Sequence, residues 1–168
     1  GMGGLSGMVM GSVSASVVSH ASCPVVVVRE DNHVTDSTKY GPVVVGVDGS
    51  EVSQKATAYA FREAQARGAA LIAVHTWMDM QVQASLAGLS AAQSEWADIE
   101  KEQSELLTEN LKEPREEYPE VEVKKLITRD RPVSALTEAA EGAQLLVVGS
   151  HGRGGFKAVS YTHLTLPT

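Results

Sequence analysis

The amino-acid sequence predicts an α/β fold, an open parallel sheet with helices on both faces. Two short runs of large aliphatic residues, at positions 42–47 and 145–148, lack the polar alternation of a half-exposed strand. Such runs are typical of strands buried on both faces, the usual situation in a parallel sheet. Segments with helical periodicity lie between the predicted strands. This alternation favours right-handed crossovers and therefore parallel strands.

The first half of the predicted strand–helix series begins with the strand at residues 42–47 and a helix at residues 51–67. Gly68 follows the last periodic position and is typical of a C-terminal cap. A second strand is predicted for residues 71–76, and then a long helix for residues 90–114 that ends at a proline. Each helix has an apolar face, formed by Ala56, Ala60, Phe61 and Ala64 in the first and by Trp96, Ile99, Leu106, Leu107 and Leu111 in the second.

The second half begins at residues 121–127, where apolar and charged residues alternate. This alternation predicts an edge strand, because one face of such a strand is solvated. Pro132 suits the first turn of a short helix that continues to residue 140, with Gly142 as its cap. The strand at residues 145–148 completes the series.

Composition excludes several classes of function. The net charge of −7 argues against nucleic acid or an anionic membrane as the main partner. No stretch reaches the roughly 18 apolar residues of a membrane helix, and no basic residue precedes Arg29 to start a signal peptide. A cytoplasmic protein is therefore predicted. The single cysteine, Cys23, excludes an internal disulfide and is predicted to be a small buried residue.

Acidic residues are concentrated in one part of the chain. Eleven of the 21 aspartate and glutamate residues lie between Glu95 and Glu122, within and just after the long predicted helix. A run of this kind is most simply the solvated face of a helix.

Two glycine-containing turns follow the buried strands. Residues 48–50 read Asp-Gly-Ser, and residues 149–155 contain four glycines in seven positions. Ligands of open α/β sheets bind beyond the carboxyl ends of the strands, and glycines let backbone N–H groups approach a phosphate. The alternative is a pair of tight turns without a ligand, in which Asp48 only caps the next helix. The presence of two such turns, each directly after a buried parallel strand, favours the ligand site.

Neither of the two commonest phosphate signatures is present, and no catalytic constellation is visible. The second turn lacks the third glycine of G-x-G-x-x-G and the lysine–serine or lysine–threonine pair of a P-loop. His75, His151 and His163 have no metal-ligand spacing, and no nucleophile is paired with a base. The sequence therefore predicts neither catalytic residues nor a metal site.

An internal repeat relates the two ends of the chain. Glycines at positions 1, 3 and 4 repeat the spacing of those at 152, 154 and 155. The repeat predicts that residues 1–30 are the C-terminal fragment of a first domain, that residues 31–41 form a linker, and that residues 42–159 form a second domain. Residues 160–168 change character and are predicted to be a non-native tail.

These motifs resemble those of the universal stress protein family. Its nucleotide-binding members carry G-x-x-G, nine residues, and then Gly-Ser or Gly-Thr. Gly149-Ser150-His151-Gly152 resembles the first half of this motif, but Thr162-His163 stands where the second half belongs. Nine residues do separate Gly1 from Gly11-Ser12. Residues 41–50, 129–132 and 145–156 resemble the second domain of tandem members of the family from actinobacteria. Residues 13–19 and 20–29 resemble the closing helix and the last strand, at 24–28, of such a domain. The resemblance therefore implies that residues 42–159 lack their own last strand.

The resemblance implies a Rossmann-like sheet of strand order 3-2-1-4-5, with ATP or another adenine nucleotide, alone or with Mg²⁺, across the ends of the first and fourth strands. Asp48 would face the ribose and adenine, and Val47 and Val74 would line the base. Gly149, Ser150 and Gly152 would contact ribose and phosphate. The implied binding residues are Val47, Asp48, Gly49, Ser50, Val74, Gly149, Ser150, Gly152, Gly11, Ser12, Val13 and Ser14.

The function implied by the resemblance is a cytoplasmic stress-response regulator that acts as a nucleotide sensor or a dimerising module. It would form a homodimer, or an intramolecular pseudo-dimer in a full-length tandem protein. One alternative is a member of the family that binds no nucleotide and works only through dimerisation. A less favoured one is a weak ATP-hydrolysing enzyme, for which Arg153 and Lys157 are the candidate phosphate ligands.

The split motif leads to a structural expectation. The strand at residues 24–28 is predicted to dock in parallel beside residues 145–148, within one chain or between two exchanged chains. The twelve residues 30–41 can span at most about 40 Å, which is enough for the connection. Such docking would return residues 11–14 to the phosphate end of the cleft.

Overall fold

The fold is organised around four parallel strands. The computed structural model describes residues 12–28, 40–77 and 93–150. The helices and strands in chain order are α1 (Ser12–His20), β1 (Val43–Gly46), α2 (Glu51–Arg67), β2 (Leu71–Thr76), α3 (Gln93–Glu117), β3 (Val123–Thr128), α4 (Pro132–Ala139) and β4 (Leu145–Val147).

The strands of the sheet lie in the order β3-β2-β1-β4, and every pair is parallel. Val43 lies opposite Leu71 on one side and Leu145 on the other, so β1 is the central strand. Val43, Val44 and Val45 have no exposed surface, because β1 is paired on both edges and covered on both faces. The predicted parallel α/β fold is confirmed, and these four strands follow the predicted order.

The two faces of the sheet have separate cores. One lies under α2 and α3 and contains Val43 and Val45 with Phe61 and Leu107. The other lies under α4 and is smaller, with Val44 packed beside Ala135. Successive side chains of a strand point to opposite faces, so each strand contributes to both cores.

The boundaries of α2 confirm the prediction. Ser50 is its N-cap, and Gly68 is its C-cap with φ of 60°. The predicted apolar face is buried in full, because these residues recur at helical spacing toward the sheet: Ala56, Ala60, Phe61 and Ala64.

The predicted end of α3 at Pro114 is wrong, because the helix continues to Glu117. Proline removes one backbone donor, but packing beyond it is sufficient to keep the last turn helical. The Tyr118 N–H donates to the Pro114 carbonyl at 2.9 Å, and the Tyr118 ring lies 6.2 Å from that of Phe61.

The buried stripe of α3 also differs from the prediction. Leu107 and Leu111 are buried as expected, but Leu106 is 40% exposed. Gln103, four residues before Leu107, is buried in the core instead. Residues four apart share one helix face, whereas Leu106 lies to the side of that face. The acidic residues described after position 97 are exposed or half-exposed, which agrees with the predicted solvated face.

β3 lies at an edge of the sheet, as predicted, but begins two residues later than expected. Val121 is buried ahead of the strand and packs into the larger core. Pro132 occupies the first turn of α4 as predicted. Gly142 is not the cap of this helix: Ala140 is the C-cap, and Gly142 supplies a φ of 73° in the turn that follows.

β4 is shorter and less buried than predicted. It spans three residues, all of them half-buried, and Val148 after it is 43% exposed. Among the described residues, β4 has one neighbouring strand, β1, so its outer edge is not paired there.

The described N-terminal segment confirms one prediction and contradicts others. The helix is present as α1, but residues 24–28 form no strand, and Val25–Val28 are between 37% and 83% exposed. The predicted pairing with β4 inside one chain is therefore wrong. A three-residue strand offers few hydrogen bonds against the entropy of closing the connection. Cys23, predicted to be buried, is exposed because residues 21–28 lie on the surface.

We predict that Gly68→Ala destabilises the fold by about 1–2 kcal/mol, the usual cost of a left-handed residue with a Cβ. No atom lies within 4 Å of the added methyl group, so backbone conformation alone causes the loss. Gly68→Asn is the control, because asparagine tolerates this conformation better. Urea unfolding measures the difference, and equal stability of the alanine variant and the parent would contradict it.

Candidate functional site

The loop after β1 is held by four hydrogen bonds that involve residues 47–53. The Val47 N–H donates to the Val74 carbonyl at 2.8 Å, and the Asp48 N–H donates to Ser53 Oγ at 3.0 Å. Asp48 Oδ1 accepts from the Ser50 N–H at 2.9 Å. Ser50 Oγ accepts from the Ser53 N–H at 3.2 Å and so caps α2. Ser50 is thus the helix cap, and the Asp48 carboxylate is oriented by the loop backbone.

Gly49 makes the tight turn between these two side chains possible. Its φ is 78°, a conformation that residues with a Cβ rarely adopt. The first turn of α2 follows directly, where Lys55 donates a 2.7 Å hydrogen bond to Glu51. This bond and the lysine charge hold the pKa of Glu51 below its ordinary value. The carboxylate of Glu51 is therefore paired with Lys55, and one oxygen of the Asp48 carboxylate accepts from the loop backbone.

The carboxyl end of β4 lies beside this loop. Val45 is opposite Val147 in the ladder, so the chain leaves the sheet at Val47 and at Gly149 on neighbouring strands. Gly149 is half-buried and Ser150 is exposed. The structure thus brings residues 47–50 and 149–150 together at the carboxyl end of the sheet, as predicted from their positions after the strands.

Other predicted site residues are not brought together in the same way. Val47 packs in the core under α2 and α3, whereas Val74 packs in the core under α4, so their side chains lie on opposite faces. Ser12 and Val13 are exposed on α1. The α1 backbone includes Ser14, whose side chain is not described, and Gly11 and Gly152 lie outside the described residues.

Two further residues at the carboxyl end of the sheet were not predicted as site residues from the sequence. Trp77 follows β2 and is 2% exposed, and Arg129 follows β3. The Arg129 guanidinium lies 5.2 Å from the centre of the Trp77 ring, within cation–π range. Their positions directly after predicted strands could have identified them as candidate site residues.

A buried polar pair was also missed. His75 on β2 contacts both the Val47 carbonyl and Gln103 on α3. A histidine inside an apolar strand was visible in the sequence, but its partners are each 28 residues away along the chain.

Metal-ligating side chains do not cluster within residues 12–28, 40–77 and 93–150, where no three His, Cys, Asp or Glu residues are grouped to hold an ion. Over the same ranges, no helix is both long enough and apolar enough to cross a membrane.

The comparison with protein families agrees with this architecture. Residues 1–29 and 39–161 match the model of the Universal stress protein family. The chain belongs to this family. It is 45% identical over 155 residues to Universal stress protein Rv2005c of Mycobacterium tuberculosis, covering 92% of this chain and 50% of that protein. Universal stress protein Rv2623 of the same species is 40% identical over 156 residues, covering 93% and 50%.

The chain therefore spans about half the length of the curated universal stress proteins that it matches. Among solved structures, it resembles the universal stress protein UspA from Lactobacillus plantarum with a TM-score of 0.53 at 21% identity, over 72% of this chain and 84% of that one. This likeness confirms the predicted Rossmann-like fold.

We predict that Ser50→Ala destabilises the protein by about 1 kcal/mol, because the Ser53 N–H loses its side-chain acceptor. Ser50→Thr keeps a hydroxyl at the cap and is the matched control. Thermal or urea unfolding measures the difference. An alanine variant as stable as the threonine variant would show that the cap contributes nothing here.

Proposed function

We propose that this universal stress protein is a regulatory protein that binds ATP or another adenine nucleotide across the ends of β1 and β4. One observation carries the proposal: residues 47–50 and 149–150 leave adjacent parallel strands at the same sheet edge. This is the position at which open α/β sheets bind ligands, where neighbouring connections run to opposite faces.

Asp48 is the central polar group of the proposed site. One of its oxygens accepts the Ser50 N–H, which orients the carboxylate at the carboxyl end of β1. A carboxylate in this position is a hydrogen-bond acceptor for ribose hydroxyls. Because the Val47 side chain is packed under α2 and α3 and the Val74 side chain under α4, we assign both residues only a backbone role beside the base.

The phosphates are assigned to the glycine-containing loop that begins at Gly149. Backbone N–H groups there, from Gly149 through Gly152, can approach an anion closely because glycines add no Cβ. The described residues supply no three-residue cluster for a cation. Mg²⁺ bound by the nucleotide phosphates is the form of cation binding that we propose.

A regulatory role is favoured over catalysis. The three hydrogen bonds donated by the N–H groups of Asp48, Ser50 and Ser53 in this loop pair no nucleophile with a base. We therefore propose a cytoplasmic nucleotide sensor that acts through dimerisation, rather than an ATP-hydrolysing enzyme. Dimerisation without nucleotide is the second candidate, and the exposed valines of residues 25–28 favour it specifically.

We further propose that residues 1–30 are the end of a first universal stress domain and that residues 42–159 belong to a second. The repeated glycine spacing, the separate family match to residues 1–29, and the length of the relatives all support a tandem origin. In this proposal, residues 24–28 are the last strand of a universal stress domain. Such a strand would pair with the outer edge of β4. Pairing between two chains would give a symmetric exchanged dimer and return residues 11–14 to the site. Two complete domains in a longer chain would give a pseudo-dimer.

The nucleotide proposal is tested by calorimetric titration with ATP. We expect Asp48→Ala to weaken binding by about 1–3 kcal/mol, because buried ligand hydroxyls lose their acceptor. Glu51→Ala is the matched control: it removes a carboxylate three residues away that is 81% exposed and paired with Lys55. We expect its affinity to equal that of the parent.

Equal affinities of the Asp48 and Glu51 variants would show that the site is wrongly placed. No binding by the parent would favour the dimerisation-only alternative. Phosphate release is measured on the same samples and is expected to stay below about 1 s⁻¹, the lower end of ordinary enzyme turnover. Faster turnover that is lost in Arg153→Ala would favour the enzyme.

The exchanged dimer is tested by light scattering over a range of protein concentrations. We expect the parent to dimerise and Val26→Asp to be monomeric, because a charge in a buried strand is unpaired. Leu126→Asp is the control, since Leu126 is a 39% exposed apolar residue on β3, at the opposite edge of the sheet. A parent that is monomeric at every concentration, or a dimer unaffected by Val26→Asp, would contradict the exchange.

A further inference from the structure

A buried hydrogen-bonded chain connects α3 to the loop that carries Asp48. His75 Nδ1 lies 2.7 Å from the Val47 carbonyl oxygen, and Nε2 lies 2.9 Å from Gln103 Oε1. His75 is 8% exposed and Gln103 is 1% exposed. Apolar residues are the usual occupants of such positions, so two polar side chains here call for a specific explanation.

The Val47 carbonyl determines which nitrogen of a neutral His75 ring carries the proton. A carbonyl oxygen can only accept, so the proton of a neutral His75 is on Nδ1 and is donated to Val47. Gln103 Oε1 facing Nε2 suits a ring protonated on both nitrogens. A half-turn of the amide would present its NH₂ group, which suits the neutral ring and gives the otherwise unpartnered Gln103 Nε2 an acceptor. The bond to Val47 is the same in both arrangements.

This bond fixes the peptide group that precedes Asp48. The carbonyl oxygen of that peptide accepts from His75, and its N–H donates to Ser53 Oγ at 3.0 Å. The preceding peptide is anchored as well, because the Val47 N–H donates to the Val74 carbonyl. A peptide group held at both its oxygen and its nitrogen cannot rotate without breaking a buried hydrogen bond, so the backbone position from which the Asp48 side chain projects is fixed.

We infer that His75 is a positioning residue for the nucleotide site, and that Gln103 holds its ring in place from α3. The inference rests on the proposed function for its effect on ligand binding, but its effect on the loop is independent of any ligand. His75 contacts no ligand in this assignment. It determines where the Asp48 carboxylate points before the nucleotide arrives.

A role in core packing alone makes a different prediction. Replacing both partners of a buried polar pair by apolar groups of similar shape is often nearly neutral for stability. A packing role therefore predicts that any variant acts in proportion to its loss of stability. A positioning role predicts a local loss of order at residues 48–50 that exceeds any change in the β1 ladder.

Hydrogen exchange of the ligand-free full chain, followed by NMR, separates these two roles. The reporters are the amides of Asp48 and Ser50, and the internal references are those of Val44 and Val45 in the sheet. We expect His75→Leu to speed exchange of the reporters about tenfold relative to the references, through local opening. Gln103→Leu should act in the same direction with a smaller effect.

His75→Asn provides the rescue. The asparagine amide nitrogen is bonded to Cγ, as Nδ1 is in histidine, so it can still donate to the Val47 carbonyl. We expect exchange of the Asp48 and Ser50 amides to return toward the parent rate. Leu111→Ala is the control for general destabilisation, because Leu111 is 1% exposed on the same helix and should speed exchange at reporters and references alike.

Titration with ATP completes the test. We expect His75→Leu to weaken binding about five- to tenfold, the effect of one hydrogen bond, and Leu111→Ala to leave affinity within about twofold. If His75→Leu and His75→Asn both exchange like the parent, the positioning role is refuted, whatever the affinity. If exchange responds as expected but the parent binds no ATP, the positioning role stands and the nucleotide assignment fails.

Discussion

The rest of the sheet depends on the burial of three consecutive valines in β1. Val43, Val44 and Val45 have no exposed surface, so each needs packing on its own face and strand pairing on both edges. Burying each valine contributes about 1.5–3 kcal/mol. Both helical layers and both neighbouring strands are required for this, which is why β2, β4, α2 and α4 all pack around one four-residue strand.

The sequence predicted best those parts of the fold that local chemistry determines. The ends of α2 follow from a serine cap and a left-handed glycine, and both are local signals. Pro114 misled because its local effect is outweighed by the packing of Tyr118 on Phe61, which the sequence does not display. Residues 24–28 have the composition of a strand, but a strand exists only where a partner pairs with it.

The candidate site was predictable to the level of the sheet edge and no further. The positions of Asp48 and Gly149 after predicted parallel strands were enough to bring them together. The separation of Val47 and Val74 depends on register, because one residue of offset moves a side chain to the other face. His75 and Gln103 are joined across three elements, so only three-dimensional structure reveals that they support the Asp48 loop.

The unequal cores described above have a consequence for how the molecule opens. Within the described residues, twelve buried apolar residues form the core on the α2–α3 side and three form the core on the α4 side. Regions with few buried apolar contacts are the first to unfold locally. Of the described layers, we therefore expect α4 to detach before α2 and α3, which exposes Val44 and Val74 in a partly unfolded state. Proteases and chaperones would meet that surface first.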